Sequence, residues 1–126
     1  MAWKYYNPNP VGHHTEDCSI RALTVALDTS WDQTYDILTE MGFNMGLMPH
    51  SNSVIAGVLR KYGFKRQVIP NRCPDCYTLW DFCIDHPMGI YVLFCDSHVA
   101  TVKNGILYDS WDSSREIPQF YWYKEE

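Results

Sequence analysis

An Asn-Gly pair in the last third of the chain constrains the fold more strongly than any other feature of the sequence. Asn104 and Gly105 separate two short β-rich segments, residues 99–103 and 106–108, and such a pair in this setting favours a two-residue hairpin turn. The apolar run over residues 89–95 has the composition of a buried strand. These segments predict an antiparallel sheet in the C-terminal part of the chain.

The first two thirds of the chain carry helix signals. Ser30 with Gln33 three residues later fits a capping box, and Gly42 is a typical helix end. We predict helices after Thr15 as N-cap and over residues 31–41, 53–62 and 77–85, with further strands over 64–69 and 120–123. Helices first and strands last predict an α+β fold, in which N-terminal helices pack on a C-terminal antiparallel sheet.

Composition limits the class of protein. Hydrophobic residues make up 46% of the 126 residues and aromatic residues 15%, which is enough for one folded domain over residues 1–126. The net charge of −5 argues against nucleic-acid binding, which needs a basic surface. No segment approaches the roughly 20 apolar residues that span a membrane, and the N-terminal residues lack the apolar core of a secretory signal.

The five cysteines are an odd number in a chain without an export signal, so we expect reduced thiols in a cytoplasmic compartment. Cys18 is the candidate nucleophile. With Thr15 as N-cap it is the third helical residue, where unpaired backbone N–H groups favour the thiolate. Asp17 opposes that charge, so a histidine partner is needed. The alternative is that Cys18 is a small buried apolar residue.

His98 is the predicted base and Asp109 its orienting acceptor. If Asn104-Gly105 forms a two-residue turn, Ala100 lies opposite Asp109 and His98 lies opposite Trp111. These four side chains then share one face of the hairpin. Diagonal neighbours on such a face lie about 7–8 Å apart at the backbone, within reach of a hydrogen bond between imidazole and carboxylate.

Two other acceptors fit less well. Asn104 lies in the turn, about 20 Å from His98 along the strand, and Asp112 points to the opposite face. Trp111 is predicted to cover the His98–Asp109 pair and to exclude water, which strengthens the hydrogen bond. The alternative is ordinary sheet packing for Trp111 and a capped turn for Asp109.

These residues resemble the papain-like (CA clan) cysteine peptidases. In that fold a cysteine begins the first long helix, a histidine begins a later strand, and Asn or Asp lies on the next strand. Asp109-Ser110-Trp111 is similar to the family's Asn-Ser-Trp. It has aspartate in place of asparagine, as do other branches of the clan including the C39 type. The chain also resembles small papain-like proteins of gut Firmicutes and their phages. The matching segments are Tyr6-Asn7-Pro8-Asn9-Pro10, Asp17-Cys18-Ser19-Ile20-Arg21-Ala22-Leu23, Cys73-Pro74-Asp75-Cys76 and Ser97-His98-Val99.

The resemblance implies a papain-like fold and a catalytic dyad or triad, but no particular substrate. The papain signature around the cysteine is absent, and Gly12 stands where that family has its oxyanion-hole glutamine. The oxyanion hole is therefore expected to use the Cys18 backbone N–H and a second donor. Asn9 is the first candidate for that donor, with Asn7, His13 and His14 as alternatives.

A cysteine-rich segment raises the question of a metal. Cys73, Cys76, Cys83 and His86 have a C-x2-C-x6-C-x2-H spacing that superficially suits zinc. The spacing of six is short, and Cys83 lies on a predicted helix, so packed thiols and no metal or cofactor are the expectation. His50 is expected to be solvated. Three methionines fit either the core or a substrate cleft: Met41, Met45 and Met48.

The sequence predicts a cysteine hydrolase. Its expected substrate is a peptide or protein, cleaved as a peptidase or isopeptidase through a Cys18–His98–Asp109 triad and an acyl-enzyme. A thiol amidase or acyltransferase would use the same residues. The rival from another class is a catalytically silent papain-like binding module, for example a phage protein that sequesters a host factor in the cytoplasm.

Overall fold

The computed structural model of the chain describes residues 3–10, 17–70 and 77–124. Within these residues the chain forms four helices and six strands. The helices are α1 (Cys18–Leu27), α2 (Trp31–Met45), α3 (Asn52–Lys61) and α4 (Leu79–Asp85). The strands are β1 (Trp3–Tyr5), β2 (Phe64–Val68), β3 (Ile90–Cys95), β4 (His98–Lys103), β5 (Ile106–Asp109) and β6 (Pro118–Lys124). The α+β composition expected from the sequence is confirmed.

The six strands form one sheet in the order β1-β5-β4-β3-β6-β2. Four of the five strand pairs are antiparallel, but β1 runs parallel to β5, with Lys4 opposite Tyr108. The antiparallel pairing expected for the C-terminal strands is present from β3 to β6, but β1 makes the sheet as a whole mixed. The strand β1 spans only three residues, and a local pattern of that length is too short to indicate a strand.

The sheet separates two hydrophobic cores. Helices α1, α2 and α3 bury their apolar residues against one face, whereas α4 packs on the other face. The expected packing of N-terminal helices on the sheet is seen for α1, α2 and α3, whereas the sequence did not indicate the face on which α4 lies. Val92 and Phe94 of β3 enter the first core and Leu93 enters the second. This burial on both faces explains why residues 90–94 read as a continuous apolar run.

Helix α2 begins where the sequence predicts but ends later than predicted. The capping box of Ser30 and Gln33 is present, as predicted. The helix does not end at Gly42 but continues to Met45, and Gly46 is its C-cap with a φ of 71°. A Cβ atom at Gly42 would lie 2.8 Å from the carbonyl oxygen of Leu47. Gly42 therefore permits a close backbone approach inside the helix and does not end it.

A buried hydrogen bond joins helix α1 to strand β4. The Thr101 hydroxyl donates to the carbonyl oxygen of Ala22 at 2.6 Å, and Thr101 has no exposed surface. This bond sets the position of the helix along the strand. None of the described helices is long and apolar enough to cross a membrane.

Replacing Thr101 by valine keeps the shape of the side chain and removes this bond. We expect Thr101→Val to lower the free energy of unfolding by about 1 kcal/mol, measured by urea denaturation. Thr39→Val is the control, since Thr39 is exposed on α2. Equal unfolding midpoints for the two variants would contradict the assigned role of the Thr101 hydroxyl.

Candidate active site

Cys18 is the first residue of α1. The helix begins two residues later than predicted, with Asp17 at the N-cap, so Cys18 is the first helical residue and not the third. The proposed cap Thr15 lies outside the described residues. The Asp17 side chain makes no capping hydrogen bond, because other groups bind its carboxylate. The thiol nevertheless lies at the positive end of the helix dipole, where a thiolate is favoured.

A tight turn places His98 beside this helix end. Strands β3 and β4 pair from Cys95 and His98 outward, so that only Asp96 and Ser97 form the turn. Ser97 has a φ of 62°, in the left-handed region that non-glycine residues rarely adopt. His98 is consequently the first residue of β4, and its side chain is buried.

Asp109 holds the ring of His98. The Nε2 atom of His98 and the Oδ2 atom of Asp109 lie 2.6 Å apart, within hydrogen-bonding distance. The hairpin register that predicted this contact is confirmed, with Lys103 opposite Ile106 and Thr101 opposite Tyr108. The next pair in this register places Asp109 opposite Ala100. A two-residue turn and the side-chain parity of the strands therefore suffice to bring the two groups together.

The competing acceptors lie elsewhere. The Asn104 side-chain oxygen accepts a hydrogen bond from the backbone N–H of Gly89. The Asp112 carboxylate accepts one from the backbone N–H of Ser114 and is exposed. Neither group is used by His98 in the described structure.

The His98 side chain and the backbone N–H of Val99 lie at the Cys18 thiol, and hydrogen bonding to both lowers its pKa. Because Nε2 of His98 faces Asp109, Nδ1 is the ring nitrogen left for the sulfur. Val99 packs in the first core, which fixes the direction of its N–H. Sulfur, imidazole and carboxylate thus form one continuous chain of contacts.

The surroundings of Cys18 favour its thiolate. Burial is the largest single influence and opposes ionisation, but the hydrogen bonds from His98 and Val99, with the charges of His98 and Arg21, outweigh it and lower the pKa of the thiol. Burial instead raises the pKa of Cys83 to about 11 and that of Cys95, which also faces nearby acidic groups, to about 12. Cys18 is the one thiol among these three described cysteines with a lowered pKa.

His98 and Asp109 carry matching shifts. Burial lowers the pKa of His98, but the hydrogen bonds to Asp109 and Cys18 and the charges of both groups raise it to about 9. Burial raises the pKa of Asp109, whereas its hydrogen bonds to His98 and Ser113 and the positive charge of His98 bring the net pKa below its ordinary range. An imidazolium between two anions is the state that this geometry favours.

Arg21 is a buried cation that the sequence reasoning did not identify. Its guanidinium forms an ion pair with Asp17, one helical turn earlier, and lies 3.4 Å from the Oδ1 atom of Asp109. The side chain of Arg21 is 9% exposed, and those of Asp17 and Asp109 are each 3% exposed. The spacing of four residues between Asp17 and Arg21 on a helix is a recognisable ion-pair signal. The contact with Asp109 has no comparable signal in the sequence.

The pairing of Asp17 changes its expected influence on Cys18. The Asp17 carboxylate also accepts a hydrogen bond from the indole N–H of Trp31 at 3.0 Å. Its negative charge is therefore shared with Arg21 and Trp31 and does not act on the thiol alone. Arg21 itself lowers the pKa of Cys18, so the acidic neighbour is offset by a basic one.

Asp109 is anchored by two serines that follow it. The hydroxyl of Ser113 donates to Oδ2 of Asp109 at 2.6 Å, and the backbone N–H of Ser110 donates to Oδ1 at 2.8 Å. Ser113 is 1% exposed. The sequence reasoning missed Ser113, because it lies after the strand in a turn whose path the local pattern does not indicate.

The described part of the predicted oxyanion hole contacts Asp17, the residue before Cys18. Asn9 is buried, and its side-chain N–H donates to Asp17 at 3.5 Å. The side-chain oxygen of Asn7 accepts from the backbone N–H of Asn9. His13 and His14 lie outside the described residues. The roles of Asn9 and of the Cys18 N–H as oxyanion donors stay predictions.

An open cleft of about 520 Å³ gives access to Cys18 and His98. Trp111 lines it with its ring tilted 49° against His98 and the ring centroids 4.9 Å apart. The indole is 46% exposed and packs against one side of the buried imidazole. His50, expected to be solvated, is exposed and also lines the cleft.

The cleft adjoins an apolar pocket of about 330 Å³, with which it shares Ser19 and His50. Met48 lines this pocket together with Tyr35 and Leu38. Of the three methionines weighed above, Met41 packs against the first core and Met45 is exposed on α2. Met48 is therefore the one that reaches the neighbourhood of the cleft.

The suggested zinc ligands are used in packing where the structure describes them. Cys83 is buried in the second core. The His86 ring stacks on Phe82 at 3.8 Å between centroids, and its Nδ1 lies 3.0 Å from the Phe82 carbonyl oxygen. Cys73 and Cys76 lie outside the described residues. In residues 3–10, 17–70 and 77–124, no three His, Cys, Asp or Glu residues converge on a metal site.

Comparison of the chain with protein-family models, with curated proteins and with solved structures gives no match. The papain-like fold therefore stays a prediction from the sequence.

The titration of Cys18 tests the electrostatics of the site. Subtracting the thiolate absorbance of Cys18→Ala from that of the wild type gives the titration curve of Cys18. We expect its midpoint below the ordinary thiol pKa, since the contacts with His98 and Val99 outweigh burial. In His98→Ala burial dominates, and we expect the pKa of Cys18 to rise above its ordinary value. If His98→Ala left the titration midpoint of Cys18 unchanged, the contact between Cys18 and His98 would be contradicted.

Loss of Arg21 removes the cation that pairs with the buried Asp17 carboxylate and leaves the Asp109 carboxylate with His98 as its only ion-pair partner among the described residues. We expect Arg21→Met to lower the free energy of unfolding by about 3 kcal/mol and to raise the pKa of Cys18. The double variant Asp17→Asn/Arg21→Met removes one of the stranded charges and is expected to recover part of the stability. Arg115→Met, at an exposed arginine, is the control in thermal and urea unfolding. A double variant no more stable than Arg21→Met would show that the ion pair is not the source of the loss.

Proposed function

We propose that the chain is a cysteine hydrolase that cleaves an amide bond through Cys18, His98 and Asp109. One observation carries the proposal. Of the three described cysteines, the one with a lowered pKa lies at a helix N-terminus and lines an open cleft together with His98, whose ring a buried carboxylate holds at 2.6 Å. A nucleophile, a base and an orienting group in contact are the requirements of covalent acyl transfer.

The proposed reaction begins with Cys18 as thiolate and His98 as imidazolium. The sulfur attacks the amide carbonyl carbon, and the developing oxyanion is stabilised by the Cys18 backbone N–H at the start of α1. His98 then gives its proton to the leaving amine as the carbon–nitrogen bond breaks. The resulting thioester is hydrolysed by a water molecule whose proton passes to His98, which releases the acid and the free thiol.

Asp109 and Trp111 support the imidazole in this scheme. The carboxylate keeps Nε2 of His98 occupied, so that Nδ1 faces the sulfur and the leaving group. The indole of Trp111 covers the ring on one side, which limits the access of water to the hydrogen bond. Ser113 and Arg21 bind the two oxygens of the carboxylate and are positioning residues in the proposal.

A peptide or protein is the proposed substrate, and a papain-like fold is the architecture proposed for the enzyme. The cleft is open along one side and adjoins an apolar pocket, which suits an extended chain with side chains on either side of the reacting carbonyl. An amidase or an acyltransferase would form the same thioester and differ only in the group that accepts the acyl chain.

Selective alkylation tests the proposal. Below pH 7 we expect iodoacetamide to modify Cys18 at least about tenfold faster than Cys83 or Cys95, because the thiolate is the nucleophile and burial keeps the other two protonated. Peptide mapping by mass spectrometry gives the three rates in one sample. His98→Ala is expected to abolish the difference. Equal rates at all three cysteines would favour a binding module over an enzyme.

Hydrolysis is then measured on peptide and ubiquitin-like amide libraries, with Cys18→Ala as the inactive control. The matched pair Asp109→Asn and Asp112→Asn separates orientation from surface charge, since only Asp109 contacts His98. We expect Asp109→Asn to lower kcat by more than about tenfold and Asp112→Asn to leave it unchanged.

A further inference from the structure

Two arginines converge on a pocket beside the cleft. Arg60 of α3 and Arg66 of β2 line a cavity of about 270 Å³, which shares Asn52 and Phe94 with the cleft that holds Cys18. The two cavities are therefore adjacent, with Asn52 and Phe94 at their common border. This makes the second cavity a candidate subsite for whatever binds at Cys18.

Aromatic rings hold both guanidinium groups in place. Arg60 lies 5.4 Å from the ring centre of Trp122, and Arg66 lies 4.2 Å from that of Phe120. The two rings are two residues apart on β6, so they share a face of the strand about 7 Å apart. A guanidinium stacked on a ring keeps its N–H donors at the edge of the plane, where they can form paired hydrogen bonds with a carboxylate.

No ion pair neutralises the charge of these arginines within the described structure. Both side chains are exposed, and no carboxylate among the described residues lies within ion-pair distance of either guanidinium. The chain as a whole has 15 acidic and 10 basic residues, yet the described residues that line this cavity include two arginines and no acidic residue. The aliphatic parts of the two arginine side chains cover the edge of the apolar core. That packing does not explain why both guanidinium groups lie in one cavity without a carboxylate partner among the described residues.

We propose that Arg60 and Arg66 form an anion-binding subsite, which takes a carboxylate of the peptide whose carbonyl group lies at Cys18. The ligand is an acidic side chain or a chain terminus a short distance from the reacting bond. The proposal rests on the proposed function, because it assigns a specificity to the same cleft. It predicts an enzyme that prefers acidic peptides although the enzyme itself is acidic.

Thiol-directed peptide probes test the subsite without requiring turnover. Each probe carries a chloroacetyl group at its N-terminus or a chloromethyl ketone at its C-terminus, and glycine spacers of increasing length separate that group from Glu or from its neutral isostere Gln. We expect Cys18 to be alkylated about tenfold faster by the best Glu probe than by its Gln partner. The ratio is expected to fall towards one as salt is added, since the guanidinium groups are exposed.

Variants assign the preference to the two arginines. Arg60→Gln and Arg66→Gln are each expected to bring the Glu-to-Gln ratio close to one while leaving the rate with iodoacetamide unchanged. Lys61→Gln is the matched control, because Lys61 is the next residue on the same helix, carries the same charge and does not line the cavity. Arg66→Lys retains the charge without the planar fork and is expected to keep only part of the preference.

The outcomes separate the two proposals. Slow reaction of Cys18 with iodoacetamide in the wild type would overturn the proposed function and the subsite with it. Fast reaction with iodoacetamide but equal rates with Glu and Gln probes in both series would overturn the subsite alone. The subsite alone would also be overturned if the preference for Glu persisted in Arg60→Gln and Arg66→Gln. It would be overturned as well if Lys61→Gln reduced that preference as much as the arginine variants do. Thermal unfolding of each variant confirms that the compared proteins are folded.

Discussion

The buried ionic contacts of Arg21 tie together the parts of this structure that matter for its chemistry. The guanidinium joins Asp17, at the start of α1, to Asp109, at the end of β5. Asp17 precedes the candidate nucleophile, and Asp109 binds the candidate base. A single cation thus connects the helix that carries the thiol with the strand that orients the imidazole. With either carboxylate left unpaired, burial of the set would cost several kcal/mol.

The charges in this cluster alternate along its length. Asp17 and Asp109 are anions on either side of Arg21, and His98 lies between Asp109 and Cys18. Transfer of a proton from Cys18 to His98 leaves the net charge of the cluster unchanged and only separates charge within it. Each new charge then faces a group of opposite sign. The alternation explains how the pKa of the thiol falls and that of the imidazole rises, although burial opposes both charged forms.

Sequence reasoning succeeded where short-range geometry decides the outcome. The turn at Asn104-Gly105 and the parity of strand residues were enough to place Asp109 against His98, because both follow from local backbone rules. They were not enough for Arg21 and Ser113, whose contacts with Asp109 depend on how α1 and the loop after β5 pack against the strand. The position of α4 on the opposite face and the parallel pairing of β1 likewise depend on tertiary packing, and no periodic pattern in the sequence indicates them.

The placement of α1 relative to β4 connects stability with chemistry. Thr101 and Ala22 join the two elements about one helical turn beyond the site, and the N–H of Val99 reaches the sulfur from the same strand. Any shift of α1 along β4 would therefore have two effects at once. It would change the distance from the Cys18 sulfur to the His98 imidazole, and it would break the Thr101 hydrogen bond. Apolar packing alone allows small sliding movements, whereas a buried hydrogen bond and a buried ion pair favour one position. The polar groups between α1 and the sheet therefore define where the thiol lies, and the two cores supply most of the free energy that keeps it there.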